Sequence, residues 1–201
     1  MFSLLVYAGA FLLMWEYHRW RGGPYSLFTA NKAIAIASSL LFSFSLALGP
    51  LQRLTGKFHT AICLRRTLGV TAATFMVLHV VLSVFFVKKF DLSYYSQNRL
   101  SIVFGAIAFL GFLLLWATSY RWAPERLGQD KWKSLQTTGY FFLALIVLHI
   151  VVLGKIPNWI LWFKTFNQPV PPGTMIPSVI AALVILLKIV DLSTGRRELS
   201  K

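Results

Sequence analysis

Residues 68–86 read LGVTAATFMVLHVVLSVFF, and residues 136–154 read QTTGYFFLALIVLHIVVLG. At about 1.5 Å of rise per residue, each apolar run is long enough to cross a bilayer. Each carries one ionisable residue well inside it, His79 and His149. An imidazole that loses its water partners in hydrocarbon costs on the order of several kcal/mol, so each ring needs a strong partner where it sits. His79 follows Arg66 by 13 residues and His149 follows Gln136 by 13. Two odd-numbered spans run in the same direction, so Arg66 and Gln136 share one level. His79 and His149 share another, about 20 Å further along the axis. Two imidazoles at equal depth can hold one planar haem iron from its two faces, with no cysteine required.

The rest of the chain fits a membrane setting. Of 201 residues, 57% are hydrophobic, 15% aromatic and 13% charged, which is not the make-up of a water-soluble domain. Largely apolar windows near 2–17, 31–51, 68–87, 100–118, 137–154 and 175–192 predict an all-α, polytopic bundle of six transmembrane helices. It forms a single domain over 1–201, with a core over 30–192, a short peripheral first helix and a tail at 193–201. The opening stretch MFSLLVYAGAFLLMWEY lacks the basic start and small-residue end of a signal peptide, so a retained helix is expected. The net charge of +14 sits in short loops between apolar runs, where membrane topology accounts for it and nucleic-acid binding is not needed. Twelve Lys and Arg fall on the side of the even-numbered loops and the C-terminal end, and eight on the other. That bias puts both termini in the cytoplasm and the histidine level in the outer half of the membrane. Cys63 is the only cysteine, so there is no intrachain disulfide and no C-x-x-C-H attachment motif. A haem here would be b-type.

Local signals add detail. Trp15 to Arg21 form an aromatic and basic anchor at the end of the first helix, with His18 an interfacial residue. Ala33, Ala35, Ala37, Ser38 and Ser39 allow a close neighbour for the second helix, which is expected to stop at Gly49-Pro50. His59 lies among polar loop residues and should be solvated. The fourth helix offers Gly105 and Gly111 as packing positions and no evident chemistry. The loop RWAPERLGQDKWKS should be irregular around Pro124 and Gly128. The stretch from Ile156 suggests a short interfacial helix followed by a stiff, proline-rich segment.

Three readings of the histidine pair compete. Each ring can simply hydrogen-bond a hydroxyl or carbonyl between helices. A proton or metal-ion path usually recruits membrane carboxylates, and these helices have none away from their ends. Haem needs only the two imidazoles and an apolar slot, which Phe75, Met76, Phe141 and Phe142 can help line, though all four serve equally as core. At the inner level, Arg66 stays protonated and the Gln136 amide is a weak iron ligand. One bis-histidine haem is therefore expected, and not two. Arg66 and Gln136 suit a carboxylate, a lipid phosphate or a quinone oxygen. With no Gly-rich dinucleotide fingerprint, the chain has to borrow its electrons, from a quinol or from a flavin carried by a partner.

RRTLGV, followed ten residues after its glycine by Leu78-His79, then Ala117-Thr118-Ser119, then RLG-x-x-x-W-K-x-L-Q ending at Gln136, and LHIVVLGK from Leu148, together resemble the ferric-reductase-like transmembrane domain over about residues 30–155. The two Leu-His pairs are its most specific part. The resemblance implies a six-helix membrane haem b protein of the bacterial inner membrane that passes electrons across the bilayer to an outer acceptor through a redox partner protein. His79 and His149 match the family's haem-ligand positions. Gln136 stands where the family's W-x-x-L-H stretch usually has a further histidine. A non-redox scaffold or assembly subunit that keeps the helical fold is the alternative.

Overall fold

The computed structural model describes residues 2–199, and the elements it contains are helical. In chain order these are α1 (Phe2–Trp20), α2 (Leu27–Thr55), α3 (Leu64–Val81), α4 (Leu92–Gln97), α5 (Arg99–Ala117), α6 (Trp122–Leu127), α7 (Gln129–Thr137), α8 (Gly139–Val152), α9 (Ile156–Thr165) and α10 (Met175–Leu199). A 3-10 turn, Ala61–Cys63, leads into α3, and a π-helical stretch, Leu82–Val87, continues it. Five segments are long and apolar enough to cross a membrane: α2, the continuous run from Ala61 to Val87, α5, the run from Gln129 to Val152, and α10 as far as Gly195. The protein is a polytopic membrane helix bundle. The remaining segment of the expected six, α1, is helical but ends in the polar cluster Glu16, His18 and Arg19, which lowers its apolar character.

The bundle is built around α2. Of its apolar window 72% is buried within the protein, against 22–28% for the other four segments, whose remaining faces carry large exposed hydrophobics that suit lipid. The small residues foreseen on α2 do bring a neighbour close: Ala33 and Ser38 are fully buried against α3. The Ser38 hydroxyl donates to the Ala72 carbonyl at 2.8 Å, and that of Ser45 to the Arg65 carbonyl at 2.8 Å. A second intimate pair is α5 with α8, and α10 closes the bundle against α2. There Asp191 accepts from Arg53 Nε and Nη2, at 2.7 and 2.6 Å, and from Lys188 at 2.9 Å.

Several boundaries differ from expectation. α2 does not stop at Gly49-Pro50 but runs through the buried Pro50 to Thr55, capped by Ser26 at its start and by Gly56, φ 64°, at its end. Proline cannot donate to the carbonyl four residues back, which would strand the Leu46 oxygen in the interior. The Tyr140 hydroxyl donates to it instead, at 2.7 Å, so the helix continues. The loop expected to be irregular folds as α6 and α7, because Pro124 falls in a first turn, where its missing N–H is harmless, and Gly128 takes φ 79° between them. α10 is helical as far as Leu199 where a tail is expected from Ser193, and Ser200 and Lys201 lie outside the described residues. The short helix expected from Ile156 is present as α9, with the Trp159 and Trp162 indoles tying it to Thr174 and to the Gln168 carbonyl.

Candidate functional site

His79 lies near the end of α3 and His149 near the end of α8, both half-buried. The two helices are bridged by α2 and α5, each of which packs on both.

Each ring is held by one nitrogen. His79 Nδ1 is 2.9 Å from Asn31 Oδ1 on α2, while Asn31 Nδ2 donates to Ser83 Oγ at 2.8 Å in the π-helical stretch. Because the asparagine presents its carbonyl oxygen to the ring, Nδ1 carries the proton. His149 Nδ1 is 2.7 Å from the backbone carbonyl of Ser101 on α5, which can only accept, so its proton is also on Nδ1. The Ser101 hydroxyl adds a contact of 3.0 Å to the same nitrogen and donates to the His149 carbonyl at 3.0 Å. Among the described residues neither Nε2 has a hydrogen-bond partner. Both rings are thereby fixed in the tautomer whose lone pair sits on Nε2, the form in which imidazole ligates metal with its other nitrogen anchored. Close approach of α5 is part of the arrangement: a Cβ on Gly105 would stand 2.9 Å from His149 Nδ1.

Asn31, Ser83 and Ser101 were not foreseen beside the histidines, and α5 brings Ser101 and Gly105 against His149. The available signal was position, since Asn31 opens the second apolar window and Ser101 lies at the head of the fourth, 48 residues before its histidine in both cases. Of the four apolar residues considered for a slot, Phe75 and Met76 are buried in the core, Phe142 packs on Gly111, and Phe141 is 58% exposed on the outside of the bundle. His59 is exposed as expected, accepting from Gln52 and donating to the Gly56 carbonyl at 2.8 Å. The Nε2 of His18 is buried without a partner among the described residues.

At the other end of the bundle, Arg66 and Gln136 line one cavity of about 320 Å³, together with Arg65, Trp116, Trp132 and Ser119. Gln136 Nε2 donates to Thr118 Oγ1 at 3.1 Å, and the Trp132 indole donates to the Thr118 carbonyl at 2.8 Å. The buried Trp116 indole nitrogen has no acceptor among the described residues. On the histidine side the cavity is bounded by Phe42 and Phe112, whose ring centroids are 4.1 Å apart.

Residues 33–147, more than half the chain, match the family described as the ferric reductase like transmembrane component. The chain belongs to that family. Arg66, His79 and Gln136 fall inside the matched region of this ferric reductase like chain, and Asn31 and His149 lie two residues beyond its ends. It is also 34% identical over 114 residues to the protein-methionine-sulfoxide reductase heme-binding subunit MsrQ of Azospira oryzae (strain ATCC BAA-33 / DSM 13638 / PS), which covers 55% of this chain and 48% of that relative. The chain thus spans about half the length of the curated relative it matches.

Proposed function

We propose that this protein is a membrane haem b electron-transfer subunit that moves electrons from the Arg66–Gln136 level to a haem held by His79 and His149, and on to an acceptor at the outer face. The observation that carries the reading is the pair of imidazoles at one level, each protonated and anchored at Nδ1, each with an uncommitted Nε2. Haem, when bound, supplies a one-electron carrier that accepts and releases charge without bond rearrangement. Asn31 and Ser101 orient the two ligands, and Gly105 lets α5 close on one of them. The Phe42 and Phe112 rings form an apolar boundary of the inner cavity.

The inner cavity fits the headgroup of a quinol donor. It is mostly aromatic and aliphatic, with the Trp116 N–H and the Arg66 guanidinium as hydrogen-bond donors toward quinone carbonyls. Oxidation there releases two protons and delivers two electrons, one at a time, toward the histidine level. A flavin carried by a partner protein can deliver electrons at the same end. The basic bias between loops supports cytoplasmic termini and places the histidines toward the outside. The heme-binding designation of the Azospira oryzae relative agrees with this reading.

The test is the absorption spectrum and iron content of the purified protein. One low-spin b-type haem per chain is expected, lost in His79→Ala and in His149→Ala because each removes an axial ligand. Unchanged haem in both variants would refute the assignment. Protein that never takes up haem would favour the scaffold reading.

A further inference from the structure

The inner end of the bundle holds a second cavity, which the electron-transfer reading does not use. Its volume is about 380 Å³, and it shares Arg65, Trp132 and Gln136 with the first. Its wall brings together four cations from four segments: Arg53 of α2, Arg65 of α3, Lys133 of α7 and Lys188 of α10. Two of the guanidiniums converge on one point, because a Cβ on Gly49 would meet a terminal nitrogen of Arg53 at 3.6 Å and one of Arg65 at 3.7 Å. The wall contains no carboxylate. The adjoining Asp191 is already shared by Arg53 and Lys188, and among the described residues Arg65 and Lys133 form no ion pair. That leaves Arg65 and Lys133 without a counter-charge beside an Arg53–Asp191–Lys188 cluster that is itself net positive, so the cavity offers uncompensated positive charge to an anion.

We infer that this cavity binds the phosphate of an anionic phospholipid. Its position decides the occupant. Gly49, Arg53 and Arg65 lie at the loop-side ends of spanning helices, where lipid headgroups reside, and the same end carries the larger share of Lys and Arg. Guanidinium forks match phosphate oxygens bidentately, the lysines add point charge, and the Tyr140 ring and Pro50 offer an apolar floor to the glycerol. A lipid seated there would clamp α2, α3, α7 and α10 around the neighbouring cavity.

The test uses the full chain, purified in detergent and placed in nanodiscs of phosphatidylcholine alone or mixed with phosphatidylglycerol. Native mass spectrometry should show phosphatidylglycerol retained at least tenfold over phosphatidylcholine. Arg65→Gln and Lys133→Gln should each cut that preference several-fold, and the double variant should abolish it. Lys133 is exposed on α7, so its variant remains informative even where Arg65→Gln fails to fold. A parallel arm titrates inorganic phosphate and follows the thermal midpoint. Equal retention of the two lipids, or variants that keep the wild-type preference, would overturn the inference. So would stabilisation by inorganic phosphate without retention of phosphatidylglycerol, which would identify a soluble phosphate site.

Discussion

Replacing Asn31 with leucine tests the histidine site where it is most exposed to failure. The side chain is of similar size, so packing at this buried position of α2 is nearly preserved while two hydrogen bonds disappear: the one to His79 Nδ1, at 2.9 Å, and the one to Ser83 Oγ, at 2.8 Å. A buried N–H left without an acceptor costs about 1–3 kcal/mol. The freed ring escapes that cost in the unliganded protein by turning toward another acceptor, and must turn back to present Nε2 to iron. The penalty therefore appears in haem affinity. It corresponds to a loss of roughly 10- to 100-fold, the usual effect of removing an outer partner of a metal-binding histidine. Ser101→Ala should do much less, because the stronger acceptor for His149 is the Ser101 backbone carbonyl, at 2.7 Å, which the substitution leaves in place. Titration of haem-free protein with haemin, followed by the low-spin absorption band, measures both. An Asn31→Leu affinity within twofold of the parent, or a larger loss in Ser101→Ala, would refute the anchoring argument.

Two further outcomes follow from close contacts. Gly105→Ala places a methyl group 2.9 Å from His149 Nδ1 and 3.2 Å from Cε1, so the ring must shift; haem titration should show weakened binding, whereas Gly9→Ala, with nothing within 4 Å, should behave as the parent. Tyr140→Phe strands the Leu46 carbonyl at the Pro50 break and should lower unfolding stability in micelles by about 1–3 kcal/mol, a loss that Pro50→Ala in the same chain should offset by restoring the missing N–H donor.

The histidines were legible because an ionisable residue in the middle of an apolar run has no ordinary reason to be there. Their anchors were not, because one is the amide of Asn31 at the edge of an apolar window and the other a backbone carbonyl, which every residue has, and the Ser101 hydroxyl beside it gives no cue when serines such as Ser39 and Ser43 bond their own backbone one turn back at 3.0 and 2.8 Å. Nothing in a single sequence separates those serines from Ser101, whose partner lies on another helix. The end of α2 was misread for a similar reason. Pro50 is a stop signal when its stranded carbonyl has no other donor, and the donor, Tyr140, arrives from 94 residues away. Arg66 and Gln136 were legible as one level because helix rise converts sequence spacing into depth. That the same level also gathers Arg53, Lys133 and Lys188 depends on how α2, α7 and α10 pack, which spacing along one helix does not contain.

A regularity in the chain ties the two levels together. Ser101 follows Asn31 by the same 70 residues by which Phe112 follows Phe42, Gln136 follows Arg66 and His149 follows His79. By this offset α5 with the run α7–α8 is the counterpart of α2 with α3, and α2·α3 and α5·α8 are both closely packed pairs, so the chain reads as a two-unit repeat. Phe42 and Phe112 are equivalent residues in direct contact, so they mark where the repeats meet. The histidines are equivalent as well, each anchored at Nδ1 by its own repeat, and such a pair suits a ligand with two like faces, as a planar metal macrocycle has. At the opposite level the equivalence fails, with arginine in one repeat and glutamine in the other. A site flanked by unlike residues suits an unsymmetrical occupant, one end of which accepts from a cation and the other from a neutral donor. The repeat is thus kept at the level proposed for haem and broken at the level proposed for the electron donor.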